Sequence, residues 1–158
     1  MLQLLPVLSD GSVTGHDDFS SGVSDVLRHT VKLYSQVGYE PPWISYLAIA
    51  ELLPVGICSF KSPPADGRVE IAYLTFPGFE NRGVATEMAS RLVAIANGST
   101  VTCIAAQTLP ERSASHRVLE KLGFRVVEQV DHPEDGRVLE WQLPGGPEMQ
   151  PERSRAAR

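Results

Sequence analysis

Apolar positions recur at three- and four-residue spacing from Val23 to Tyr34, through Val26, Leu27, Thr30 and Val31. That period lines one face of a helix and predicts an amphipathic segment over Ser21 to Val37, stopped at Gly38. The pattern then changes. "WISYLAIAE" and "VGICSF" are β-rich runs joined near "LLP", and "RVEIAYLTF" is apolar at nearly every position, as in a central strand covered on both faces. Helical spacing returns over Gly83 to Asn97, where Val84, Met88, Leu92 and Ile95 share a stripe and Gly98 closes the segment. "VTCIAAQT" reads as another buried strand. Thr108 and Glu111 have the spacing of a capping box for a helix running to Leu122. After it, Gly123 suits a left-handed backbone and lets Phe124 fold back on Leu119. "FRVVEQV" and "RVLEWQL" flank "DHPEDG" as a terminal hairpin. A strand before the first helix is opposed by Pro6.

Helix, three strands, helix, strand, helix and two strands predict an α/β fold with a mixed sheet. The 158 residues suit one core, and the expected domain is 1–143. Residues 144–158, "PGGPEMQPERSRAAR", offer almost nothing to bury and predict a disordered tail. Net charge is −5, which argues against nucleic-acid or anionic-membrane binding and is compatible with amine partners. No run is apolar for long enough to span a bilayer, and "MLQLLPVLSDG" lacks the basic start and cleavage site of a signal peptide. A cytoplasmic protein is expected. Cys58 and Cys103 lie in apolar runs, as buried reduced thiols would. His16, His29, His116 and His132 are scattered without ligand spacing, so no metal is expected. A homodimer is left open.

"FENRGVATEM" places small residues, Gly83 and Ala85, where a helix begins after the long strand. Helix N-termini carry unpaired N–H groups and partial positive charge, so small side chains there let a phosphate reach the main chain. Arg82 would add charge. The other reading is a tight strand–helix turn without a ligand. The three-glycine dinucleotide pattern and the Gly-Lys-Ser/Thr of a P-loop are both absent.

Together, "ENRGVATEM" and "LPERSASHRVLEKLGF" (Leu109 to Phe124) resemble the GNAT superfamily of acyl-CoA-dependent N-acyltransferases, and within it the RimJ/RimL-like branch. The resemblance runs from about Trp43 to Leu143. It implies a mixed sheet with a splayed parallel strand pair, and acetyl-CoA as co-substrate. The acceptor would be an amine-bearing small molecule or a peptide N-terminus. It also implies a pyrophosphate cradle from Glu80, Asn81, Arg82, Gly83, Val84, Ala85 and Thr86. Glu80 departs from the family's Gln or Arg. Main-chain N–H around Leu74, Thr75 and Phe76 would serve as oxyanion donor, with a bulge in that strand opening the gap. Arg112 stands where the branch commonly has the Asn that contacts pantetheine. Leu119 stands where many members have a tyrosine proton donor. Ser115 matches a serine given the acid role.

Transfer of an acyl group to an amine requires a base for the ammonium, donors for the developing oxyanion and a proton for the thiolate. Glu70, between Val69 and Ile71 on the central strand, is the candidate base, where burial would raise its pKa; the alternative is a glutamate facing solvent or paired with Arg68. For Ser115 the alternative is a helix-surface serine. His116 is read as a proton relay or a solvated helix residue. Trp43 lines an acceptor pocket or belongs to the core. A non-catalytic acyl-CoA-binding module on the same fold is the competing function.

Overall fold

The computed structural model describes residues 2–144. Its elements are β1 (Gln3–Pro6), α1 (Ser21–Val37), β2 (Ser45–Ala50), β3 (Leu53–Phe60), β4 (Arg68–Thr75), α2 (Val84–Asn97), β5 (Cys103–Thr108), α3 (Ala114–Lys121), β6 (Arg125–His132) and β7 (Gly136–Pro144). The strands form one mixed sheet in the order β1-β2-β3-β4-β5-β7-β6. Every neighbouring pair is antiparallel except β4–β5, which is parallel. The expected domain limit at residue 143 falls inside β7. Beyond Pro144, the expected tail lies outside the described residues.

α1 begins where Ser20 accepts a hydrogen bond from the Val23 N–H, and it buries Leu27, Thr30 and Tyr34. The Tyr34 hydroxyl donates to Val7 O at 2.8 Å and accepts from Ser45 N at 2.9 Å. One phenol thus ties the helix to the chain after β1 and to the start of β2. The opposite face of the sheet carries α2 and α3. Gly56 of β3 shows how closely α2 approaches: a Cβ there would lie 2.7 Å from Leu74 O and 2.9 Å from Met88 Cε. Only a residue without a side chain fits.

The parallel pairing is short. Arg68, Val69 and Glu70 pair with Cys103, Ile104 and Ala105, and there the ladder ends. β4 stays paired to β3 as far as Thr75, and β5 to β7 as far as Thr108. Each strand is therefore held on its outer side while the two part from each other. The expected bulge in β4 does not occur: the β3–β4 register is unbroken, and the register shifts lie between Ala48 and Ile49 and between Val126 and Val127–Glu128. The far end of β5 is anchored to β7 and α3 by a buried polar cluster. Trp141 Nε1 donates to Thr108 Oγ1 at 3.0 Å, and His116 Nε2 lies 3.2 Å from the same oxygen and 3.0 Å from Leu109 O. A carbonyl only accepts, so Nε2 carries the proton.

This cluster corrects two expectations. Thr108 is the last residue of β5 and not a helix cap; α3 starts after Ser113, which makes no side-chain cap bond. His116 is buried against Trp141 and is neither solvated nor placed as a relay. β1 does form despite Pro6, because it is an edge strand and Pro6 is its last residue.

Gly56→Ala is expected to destabilise the fold by about 1–3 kcal/mol, since a backbone carbonyl blocks the new methyl group. A thermal melt should show a loss of several degrees (about 2–4 °C per kcal/mol for a chain of this size). An unchanged melting temperature would mean that α2 sits less tightly on β3 than described.

Candidate active site

The parting of β4 and β5 leaves a cavity of about 110 Å³ lined by Glu70, Tyr73, Ala106, Gln107, Ser115 and Lys61, among others. The backbone along it can be derived from the ladder. Lys61 N donates to Glu70 O, and Phe76 N donates to Val55 O. In an antiparallel pair, hydrogen-bonded residues alternate with non-bonded ones. Leu74 and Phe76 therefore spend their N–H groups on β3, while Tyr73 and Thr75 turn theirs toward the gap. Of the expected donors Leu74, Thr75 and Phe76, only Thr75 faces it. Leu74 presents a half-exposed side chain, and Phe76 is buried.

Glu70 stands at the vertex, the last residue of β4 paired to β5. Its Oε2 is shielded from solvent and lies 2.9 Å from Lys61 Nζ, a charge contact without an aligned hydrogen bond. Arg68 is 3.9 Å from Glu70 Oε1 and 3.0 Å from Glu140 Oε1. The charges thus alternate along one face of the sheet: Lys61, Glu70, Arg68, Glu140. Burial opposes ionisation of Glu140, but hydrogen bonds from Gln142 and Arg68 outweigh it and hold its carboxyl below the ordinary range.

On the opposite face, Ser115 interacts with the Tyr73 phenol. Burial pushes that phenol up to about 12, and the Ser115 contact offsets part of the rise. Tyr73 is therefore protonated at neutral pH and able to donate. Sequence reasoning missed Tyr73 and Lys61. Tyr73 was hidden in a run that reads as core, and Lys61 in a stretch that reads as turn.

The chain between β4 and α2 passes through the left-handed region at Gly78, Asn81 and Gly83. Gly83 precedes α2 with φ 79°, and a Cβ built on it meets nothing within 4 Å. The glycine is thus required by the backbone, while the space above it is open. Gly83 offers no side chain to cap the first-turn amides of Val84, Ala85 and Thr86. Glu80 does not pair with Arg82: it accepts from Gly78 N at 2.8 Å, while Arg82 lies over the Phe79 ring at 5.6 Å. The first-turn acid Glu87 is tied to Arg91 and Leu2 N.

Arg112 is engaged elsewhere, forked onto Glu120 at 2.8 and 2.7 Å on the surface. Trp43 packs edge-on against Phe60 and joins the core; it does not line the cavities described here. On the α1 face, a groove of about 240 Å³ runs past His29, Ser59 and Ala72. It continues, through the shared Val26 and Leu74, into an apolar hollow of about 510 Å³ with Phe19, Phe76 and Phe79 in its wall. Neither cysteine is bonded to the other, and burial pushes the Cys58 thiol up to about 12. Among the described residues no group of side chains could hold a metal ion, and no helix is long and apolar enough to cross a membrane.

The fold of this chain is shared with known proteins. The chain matches the acetyltransferase (GNAT) domain over residues 21–125 and belongs to that family of acyl-CoA-dependent N-acetyltransferases. Among solved structures it is similar to RimL, the ribosomal L7/L12 alpha-N-protein acetyltransferase, with a TM-score of 0.68, 12% identity, and coverage of 92% of this chain and 94% of that one. It is also similar to the ribosomal-protein-S18-alanine N-acetyltransferase from Escherichia coli (TM-score 0.64, 10% identity, 92% and 95% coverage). The microcin C7 self-immunity acetyltransferase MccE, solved with acetyl-CoA and AMP, gives a TM-score of 0.64 at 11% identity, with 80% and 72% coverage. No curated protein sequence matches the chain.

The depressed carboxyl of Glu140 sets a pH dependence. Its stabilisation is present above the ordinary value of 4.5 and is lost as pH falls through the lower native value. Urea unfolding from pH 6 to pH 3 should therefore show stability falling with pH, and Glu140→Gln should flatten that slope. An equal slope in the variant would remove Glu140 from the charged array.

Proposed function

We propose that the chain transfers an acetyl group from acetyl-CoA to a primary amine by direct attack on the thioester. The observation that carries this reading is the position of Glu70 at the vertex of the β4–β5 gap. The turned-in N–H groups of Tyr73 and Thr75 line the same gap, and the α2 N-terminus follows the end of β4. Acetyl-CoA supplies the activated acyl group. Val84, Ala85 and Thr86 hold its diphosphate on main-chain N–H groups, with Asn81 and Gly83 shaping the turn and Arg82 adding charge. Glu80, turned onto Gly78, contributes through the shape of the loop and adds no ligand of its own. Thr75 and Tyr73 offer main-chain N–H groups to the arm and to the charge developing on the acyl oxygen.

Glu70 takes the proton of the acceptor ammonium, a step an amine of pKa near ~10 requires at neutral pH. Ser115, with the protonated Tyr73 phenol beside it, returns a proton to the leaving sulfur. Leu119 carries no hydroxyl, and Tyr73 supplies one from β4. Direct transfer is favoured because burial pushes both thiols up, that of Cys58 to about 12, which leaves them poor acyl carriers. The likeness to two ribosomal-protein N-acetyltransferases supports a RimL-like branch and a peptide N-terminus as acceptor; small amines are the other acceptor class. The buried free thiol also fits a cytoplasmic location.

The non-catalytic reading draws on Arg112, which is held by Glu120, and on Glu70, which is held by Lys61. Turnover decides. Thiol release with acetyl-CoA should be stimulated by a peptide N-terminus or another amine in a panel of peptides, amino acids, polyamines and aminoglycosides. Glu70→Gln should lower kcat by about 10²–10⁴ while calorimetric acetyl-CoA affinity is retained. Unchanged turnover in that variant would remove Glu70 as base, and tight coenzyme binding with no turnover for any amine would favour the binding module. Tyr73→Phe should lower kcat and leave coenzyme affinity unchanged; an unaltered kcat would leave Ser115 as the sole side-chain donor.

A further inference from the structure

The candidate base already holds an amine. Lys61 follows β3 directly opposite Glu70, and its N–H donates to Glu70 O at 2.8 Å. Residues paired across a ladder project to the same face, so the two side chains run together. They meet at 2.9 Å, Nζ to Oε2, and both line the cavity between the parted strands. The same cavity reaches Gln107, Tyr73 and Ser115. Resting on the coenzyme reading above, this places a primary amine, a carboxylate and the proton donors around the space assigned to the thioester.

We infer that Lys61 is an acceptor in its own right, a tethered amine that the protein acetylates intramolecularly. Glu70 takes a proton from the Lys61 ammonium, and the freed lone pair of Nζ attacks the thioester carbonyl. The C–N bond forms and the C–S bond breaks. The thiolate takes a proton from the Ser115–Tyr73 pair, the second proton shed by the attacking nitrogen restores that pair, and the proton on Glu70 passes to solvent. Lysine ammonium and acetyl thioester become acetyl-lysine, free thiol and one released proton. The product amide carries no charge, so the modification also dissolves the Lys61–Glu70 ion pair and releases the carboxylate from its internal partner.

The chain provides its own controls, because its other lysines, Lys32 and Lys121, are exposed on α1 and α3, away from the gap. Purified full-length protein is incubated with acetyl-CoA, and acetyl occupancy at the three lysines is followed by peptide mass spectrometry. Acetyl-CoA binding is measured in parallel by calorimetry. Lys61 should be modified roughly tenfold or more faster than Lys32 and Lys121, because a positioned amine reacts at a high effective concentration. Its rate should not change when the protein is diluted, the preference should vanish in urea, and Lys61→Arg should abolish the fast phase. Equal rates at the three lysines, with acetyl-CoA shown to be bound, would overturn the inference and leave the acetyltransferase reading standing. A Lys61 rate that rises with protein concentration would overturn it in favour of transfer between molecules. Failure of acetyl-CoA to bind at all would overturn both.

Discussion

The structure depends on two strands being paired on their outer sides and released from each other on the inner side. β4 is held by β3 from Glu70 to Thr75, and β5 by β7. Between them only Arg68, Val69 and Glu70 keep their partners. Unpaired backbone groups inside a protein are costly, so an interior edge persists only where the surrounding structure enforces it. At the far end of β5 lies a small polar cluster. The Thr108 hydroxyl meets the indole of Trp141 and the imidazole of His116, and His116 also holds Leu109 O. These bonds join β5, β7 and α3 into one corner.

The gap joins the chemistry of two faces. On the α1 side are Glu70 and its charged neighbours, with the groove beyond them. On the α2 and α3 side are Ser115 and the Tyr73 phenol. An acyl group held between the strands would be reached by an amine from the first side and relieved of its thiolate on the second. Glu70 and Tyr73 stand at positions of opposite parity along β4, so the pleat of that strand presents one to each face. The ion array on the α1 side holds the Glu140 carboxyl below the ordinary range and gives Glu70 two cationic neighbours, in a place where an unpaired carboxylate would be expensive.

Much of this was legible in the chain. The helical stripe from Val23 to Tyr34, the apolar run around Ile71 and the glycine at 83 fixed the order of elements and the loop that follows the central strand. Gly98 and Gly123 marked helix ends that the structure retains. What the sequence concealed was long-range. Thr108 has the local spacing of a helix cap, and its true partners, His116 and Trp141, come from a helix and a strand brought together only by folding. The opening of the sheet was expected from a bulge in β4, yet the register there is continuous. Tyr73 and Lys61 resemble a core aromatic and a turn lysine until the ladder sets them beside Ser115 and Glu70. Local pattern reports period and turn chemistry; it does not report which side chains meet across a sheet.

The central claim is that coenzyme A enters the sheet as a substitute for the missing β4–β5 pairing. Backbone amide exchange, resolved residue by residue with and without saturating acetyl-CoA, tests it most directly. The N–H groups of Tyr73 and Thr75 should become strongly protected on binding, together with those of Val84 to Thr86. The N–H groups of Leu74 and Phe76, already bonded to β3, should change little. Unaltered exchange at Tyr73 and Thr75 under saturating coenzyme would contradict the account.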